Sequence, residues 1–179
     1  MFVLKCLWLI LPGVFANAFP LFTKNLKFLA YPIDFGRTFF GKPIFGPNKT
    51  FRGFFFGILA AIVIVYLQTF LYKISFVFRQ ISFIPYDQYN FALLGFLVGF
   101  GALFGDLVKS FIKRRLGIKP GARFFPWDQL DAFIGALIFI SIVWIPPWQA
   151  IVFLTFFVPF LHISTNFLWY WLGLKKTKW

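Results

Sequence analysis

Apolar residues run through this chain in long blocks, separated by short stretches rich in Gly, Pro, Lys and Arg. Hydropathy marks five such blocks, at residues 1–17, 54–72, 91–111, 129–146 and 148–172. Each approaches the roughly 20 apolar residues that carry an α-helix across a bilayer. The pattern predicts an all-α fold, a polytopic bundle of five transmembrane helices in one domain over residues 1–179, with loops at 18–53 and 112–128. Pro146-Pro147 leaves only a tight turn between the last two helices, and 74–90 reads as an outer loop in which Asp87 is a solvated charge or a cap. On the third helix Gly95, Gly99, Gly101 and Gly105 form overlapping small-xxx-small spacings, which let helices approach closely in lipid.

Composition removes the soluble alternative. The chain is 60% hydrophobic and 25% aromatic, with 31 Phe and only 13% charged residues, too little polar surface to face water all round. Lys5 before an apolar run ending Phe15-Ala16-Asn17-Ala18 also resembles a secretory signal, although its basic start is weak. Cys6 is the only cysteine, so no disulfide framework exists, and it reads as a small apolar residue.

Charge sets the expected orientation, because loops on the cytoplasmic side are enriched in Lys and Arg. Six cations fall in 18–53, six in 109–127 and three in the tail (Lys175, Lys176 and Lys178), leaving Lys5, Lys73 and Arg79 for the other side. Five spans then place the N-terminus outside, and both basic loops and the C-terminus in the cytoplasm. The net charge of +13 is read as facing lipid headgroups and phosphate groups, with no nucleic-acid partner.

Two of these loops differ in kind from a merely basic surface. Between Tyr31 and Gly53, Gly36, Gly41, Gly46 and Gly53 alternate with Arg37, Lys42, Asn48, Lys49, Thr50 and Arg52. Exposed glycine N–H groups among cations suit a phosphate cradle. The Walker A order of residues is missing. A juxtamembrane basic loop would explain the charges but neither the glycines nor Asn48-Lys49-Thr50.

The second stretch carries the acids. All five acidic residues are aspartates, and Asp106, Asp128 and Asp131 lie close in sequence to Lys109, Lys113, Arg114, Arg115, Lys119 and Arg123. Carboxylates near bilayer depth survive mainly when paired, facing a cavity or holding a cation. On a helix Asp106, Ser110, Lys113 and Arg114 share one face, and Asp128 and Asp131, at i and i+3, point the same way. Asp128 also suits a helix cap, whereas Asp131 sits one turn inside an apolar helix. Hard oxygen donors beside cations suit Mg²⁺ carrying a phosphate substrate, and no His/Cys cluster offers a zinc site. There is no obvious general base, and a phosphate monoester nucleophile, anionic at neutral pH, needs none. His162 and Asn166, four residues apart on the last helix, are further candidates to line the same cavity.

The run Gly105-Asp106-Leu107-Val108-Lys109-Ser110-Phe111-Ile112-Lys113-Arg114, then Gly117-Ile118-Lys119 and Asp128-Gln129-Leu130-Asp131, resembles the signature of the CTP-dependent phosphatidate cytidylyltransferases. With Gly41-Lys42, Gly46 through Gly53 and Gly173-Leu174-Lys175-Lys176, it is similar to the archaeal branch, the CDP-archaeol synthases. It departs from the bacterial and eukaryotic pattern at Lys119-Pro120, where Lys-Asp is usual, and at Phe125-Pro126-Trp127, where His-Gly-Gly is usual.

The resemblance implies that CTP and unsaturated archaetidic acid (2,3-digeranylgeranylglycerol 1-phosphate) give CDP-archaeol and pyrophosphate. Asp106, Asp128 and Asp131 would hold Mg²⁺, with a second, monovalent cation left open. Lys113 and Arg114 would serve the reacting phosphates, and Asn48, Lys49, Thr50, Arg52, Ser110 and Lys119 the nucleotide. The competing readings are a CDP-alcohol phosphatidyltransferase, whose D-G-x-x-A-R start is absent, and a transporter or channel for an anion, for which no internal repeat is visible.

Overall fold

A computed structural model describes residues 1–119 and 122–171, apart from the side chains at 162, 165, 166, 168 and 169. The fold is helical: α1 (Phe2–Ala18), α2 (Phe51–Ile74), α3 (Phe76–Gln80), α4 (Phe91–Arg115), α5 (Trp127–Ile140) and α6 (Trp148–Trp171). A hairpin of two short strands, β1 (Thr38–Phe39) and β2 (Lys42–Pro43), lies in the loop before α2. Among the described residues, three helical stretches, Phe2–Leu21, Phe51–Ile74 and Phe91–Arg115, are long and apolar enough to cross a membrane.

Helix α5 departs from the expectation of a helix over 129–146. It ends at Ile140 after 14 residues, about 21 Å at 1.5 Å per residue, against a hydrocarbon core of roughly 30 Å. Turns at 141–143 and irregular chain through Pro146-Pro147 occupy the remainder of that apolar block.

The glycines of α4 work on two sides. A Cβ on Gly95 would lie 2.5 Å from Ile62 Cα, and one on Gly99 2.8 Å from Ala61 Cβ, so these two face α2. On the other side a Cβ on Gly101 would come within 2.6 Å of Gly135 O, and one on Gly105 within 2.1 Å of Asp131 O. Backbone therefore meets backbone between α4 and α5, as small-residue stripes permit in lipid. Flanking this seam, the rings of Phe96, Phe100 and Phe104 stack in a row, and Phe100 and Phe104 meet Phe139 edge-on at 5.1 and 5.7 Å.

Helix α1 is packed into the bundle. Cys6 and Ala16 are fully buried, and Ala16 joins Ala61 and Ala102 where α1, α2 and α4 meet. Of the small residues at 16–18, Ala16 serves close packing: a Cβ on Gly57 would sit 2.6 Å from Ala16 O. At the far end of the bundle Gln68, almost wholly buried, donates to Trp8 O at 2.6 Å and accepts from Tyr86 Oη at 2.9 Å. The 74–90 connection is therefore partly inserted, with Ile84 and Tyr86 in the core, while Asp87 stays exposed as expected.

Candidate active site

The polar centre forms where the C-terminal half of α4, the start of α5 and the loop before α2 converge. Close contact at Gly105 brings Asp131 against the turn of α4 that carries Asp106. Lys109, one turn beyond Asp106, reaches into the gap. Its Nζ lies 2.9 Å from Asp106 Oδ1, 2.7 Å from Asp131 Oδ2 and 3.4 Å from Asp128 Oδ1. Lys113, also buried, pairs with both oxygens of Asp128 at 3.0 and 3.2 Å and donates to Ala122 O. Asp128 further accepts the N–H of Phe124 at 2.6 Å, fastening the 122–126 segment rather than capping its helix.

The loop before α2 delivers Lys49, which donates to Asp106 Oδ2. Ladder-like bonds close this loop at its base, from Ile33 N–H to Lys49 O at 2.8 Å, Phe51 N–H to Tyr31 O at 3.1 Å and Arg52 N–H to Leu29 O at 2.7 Å. Its interior is organised by Asp34, which is only 6% exposed. The carboxylate accepts the N–H groups of Gly36 at 3.0 Å and of Phe45 and Gly46 at 2.9 Å each. Burial pushes this carboxyl up, but the Gly46, Phe45 and Gly36 N–H groups outweigh it and hold it below the ordinary carboxylate value.

This arrangement corrects the reading of the glycine loop as an open phosphate cradle. Backbone N–H groups do converge on an anion, and that anion is the protein's own Asp34. Gly36 and Gly46, at φ +73° and +101°, supply the left-handed turns that aim them. A cleft lined by Asn48, Lys49, Thr50, Gly53 and Asp106 on its polar side has Pro20, Leu21, Phe54 and Leu103 on its apolar side, with Asn17 at the end of α1.

Other expected site residues fall into distinct positions. Thr50 lines the cleft but also caps α2, its Oγ1 accepting Gly53 N–H at 3.2 Å. Ser110 is turned back onto its own helix, donating to Asp106 O at 2.8 Å. Arg52 donates to Leu26 O and is not among the residues lining the cleft. Arg114 is half-buried, and its Nε finds no hydrogen-bond partner among the described residues. Lys119 is exposed at the edge of the described chain. His162 and Asn166 stand on α6, but their side chains lie outside the described residues, as do Pro120 and the tail Gly173-Leu174-Lys175-Lys176.

Three carboxylates and three ammonium groups thus balance one another in a half-buried cluster. Among the described residues no three acidic, His or Cys side chains close tightly enough to hold a metal unaided. What Asp106, Asp128 and Asp131 share is a single cation position, taken by Lys109 Nζ. Such hard oxygen donors fit Mg²⁺, which accepts few protein ligands and completes its shell from substrate phosphates and water.

Three residues hold places in the centre that the sequence does not assign them: Lys109, named there only as a nearby cation and as part of the signature run, Asp34 and Asn17. Lys109 carried a signal, since i+3 from Asp106 keeps it on the same helical face. Asp34 was visible as the lone acid of a basic loop. Asn17 gave none, because its place depends on how α1 packs against α2.

Fold and centre together define an apolar helical bundle, with helices long enough to cross a membrane, that carries a half-buried cluster of carboxylates and ammonium groups at one end. The model of the CarS-like family, CDP-archaeol synthase, matches residues 1–179, and the chain belongs to that family. It is similar to the CDP-archaeol synthase of Archaeoglobus fulgidus, 38% identical over 99% of this chain and 98% of the relative. The Methanococcus maripaludis synthase is 39% identical over 98% and 96%. A solved intramembrane enzyme for archaeal membrane lipids biosynthesis superposes with a TM-score of 0.70 at 28% identity, over 89% of this chain and 91% of that one. These full-length matches lend no support to the transporter reading.

Proposed function

We propose that the chain transfers the cytidylyl group of CTP to unsaturated archaetidic acid, forming CDP-archaeol and releasing pyrophosphate. Family membership over the whole chain supports the reaction. The observation that carries the site is the meeting of Lys49 with Asp106 beside the Lys109-centred carboxylates, because it joins both basic segments in one place.

In this reading the lipid phosphate, already anionic, attacks the α-phosphorus of CTP, and the bond to the β-phosphate oxygen breaks. Asp106, Asp128 and Asp131 would hold Mg²⁺, which supplies charge neutralisation and polarisation of the phosphoryl group when bound. Lys49, Lys109 and Lys113 exchange carboxylate partners for phosphate oxygens, so the cluster keeps its charge balance as substrate enters. Asn48 and Thr50 hydrogen-bond the nucleotide, and Arg114, whose Nε has no partner among the described residues, is available to the leaving pyrophosphate. The apolar wall of Pro20, Leu21, Phe54 and Leu103 carries the first carbons of the lipid away from Asp106.

The proposed topology has five spans, with the N-terminus outside and the site facing the cytoplasm. The basic residues of both site segments support it. Mass spectrometry of products from purified protein, Mg²⁺, CTP and either geranylgeranyl-ether or diacyl glycerol phosphate tests the reaction. EDTA-sensitive CDP-lipid, made preferentially from the ether substrate, is expected; no CDP-lipid from folded protein would overturn the reading.

A further inference from the structure

The hairpin before α2 pairs Thr38 with Pro43 and Phe39 with Lys42, leaving Phe40 and Gly41 as its tip. Both have positive φ, +48° and +71°. Two such residues in a two-residue hairpin make the turn that Asn-Gly and Asp-Gly favour, and a bulky side chain at its first position is strained. Phe40 receives little in return from the protein. It is 86% exposed, and its ring meets that of its own neighbour Phe39 at 4.5 Å.

The tip is nevertheless held firmly, and held to a membrane-crossing helix. Arg115, the last residue of α4, donates to the carbonyls of Phe39, Lys42 (3.0 Å) and Pro43 (2.6 Å). Its guanidinium also lies 5.4 and 5.1 Å from the ring centres of Phe39 and Phe111, and Lys42 Nζ returns a bond to Arg115 O at 2.9 Å. Phe39 and Phe111 rings stand 6.3 Å apart, so the apolar surface of α4 continues onto the hairpin. Ile112 and Leu116 extend the exposed apolar surface at this end, and Arg37 and Lys42 are exposed beside the tip.

We propose that the Phe39-Phe40 tip inserts into the headgroup boundary of the bilayer, with Arg37 and Lys42 on anionic lipid phosphates. The strained phenylalanine is then accounted for by a contact outside the protein, an apolar ring at the depth where aromatic residues settle between water and lipid chains. Because Lys49 belongs to the same closed loop, the anchor fixes that loop at the bilayer surface. The inference rests on the reading of α4 as a membrane span, not on the chemistry of the site.

The test is a nitroxide at position 40, in Phe40→Cys with the buried Cys6→Ala, reconstituted into vesicles containing anionic phospholipid; Asp87→Cys is the reference. At position 40 the expected label is readily reached by oxygen and shielded from a water-soluble nickel chelate, while at 87 the chelate reaches it freely. Equal chelate access at both positions overturns the proposal, whatever the catalytic activity. Phe40→Asn, which suits the turn, provides an independent check. It should raise the KM for lipid in anionic vesicles several-fold with the KM for CTP unchanged, and an unchanged KM for lipid contradicts the anchor.

Discussion

Lys109 Nζ lies 2.7 Å from Asp131 Oδ2 and 2.9 Å from Asp106 Oδ1, so one ammonium joins carboxylates from two helices. Without it, two like charges would face each other where the α4 and α5 backbones touch.

Lys109→Met should therefore weaken the protein most when no divalent cation is present. Removing one partner of a buried charge network costs about 3–5 kcal/mol. Thermal unfolding in detergent should show a lowered Tm in EDTA and a larger rise with Mg²⁺ than in the unaltered protein. Turnover should fall roughly 100-fold, the scale for losing one preorganised charge. A Tm response to Mg²⁺ identical to that of the unaltered protein would contradict a shared cation position.

Gly105→Ala probes the contact that brings the acids together. The added Cβ would meet Asp131 O at 2.1 Å, and overpacking of this kind costs about 1–3 kcal/mol. Gly13→Ala is the control, since its Cβ meets Val98 Cγ1 at an ordinary 3.8 Å. Turnover and Tm should both drop for the first and hold for the second; matching values would show that the helices yield easily.

Lys49→Ala should act on the nucleotide more than on the lipid. Loss of a charged hydrogen bond is worth about 1.5–3 kcal/mol, roughly a 10- to 100-fold rise in the KM for CTP. Steady-state kinetics with each substrate varied in turn would check it, and a larger effect on the lipid KM would reassign the loop.

Asp34 gives the loop a pH dependence whose sign follows from its lowered folded value. Its stabilisation is complete above the unfolded value of about 3.9 and is lost as pH falls through the lower folded value. Amide hydrogen exchange at Phe45 and Gly46 should accelerate on acidification beyond its intrinsic trend. Asp34→Asn should expose those amides already at neutral pH and raise the KM for CTP, because it loosens the segment that carries Lys49. Unchanged protection in the variant would remove Asp34 from this positioning role.

Much of this was legible from spacing. The overlap of helices with apolar blocks follows from hydropathy, and Asp106, Lys113 and Asp128 share a centre because helical period and a short loop leave few alternatives. Partners that depend on three-dimensional closure were not legible. Asp34 filling its own glycine cradle needs the loop to close through Ile33 and Lys49. The shortness of α5 is set by turns at 141–143 within an apolar run, where composition gives no stop signal. Ser110 and Arg52 sit at suitable positions in sequence, yet their donors satisfy carbonyls at Asp106 and Leu26.

The most direct test of the carboxylate centre is incorporation of labelled CTP into lipid by Asp131→Asn and Asp87→Asn, compared in protein of equal Tm. Asp131 is 8% exposed within the cluster, whereas Asp87 is exposed in the 74–90 connection. The account predicts that Asp131→Asn loses activity by at least about 100-fold, the scale set by one preorganised group, while Asp87→Asn stays close to the unaltered protein. Equal incorporation by both variants would contradict it.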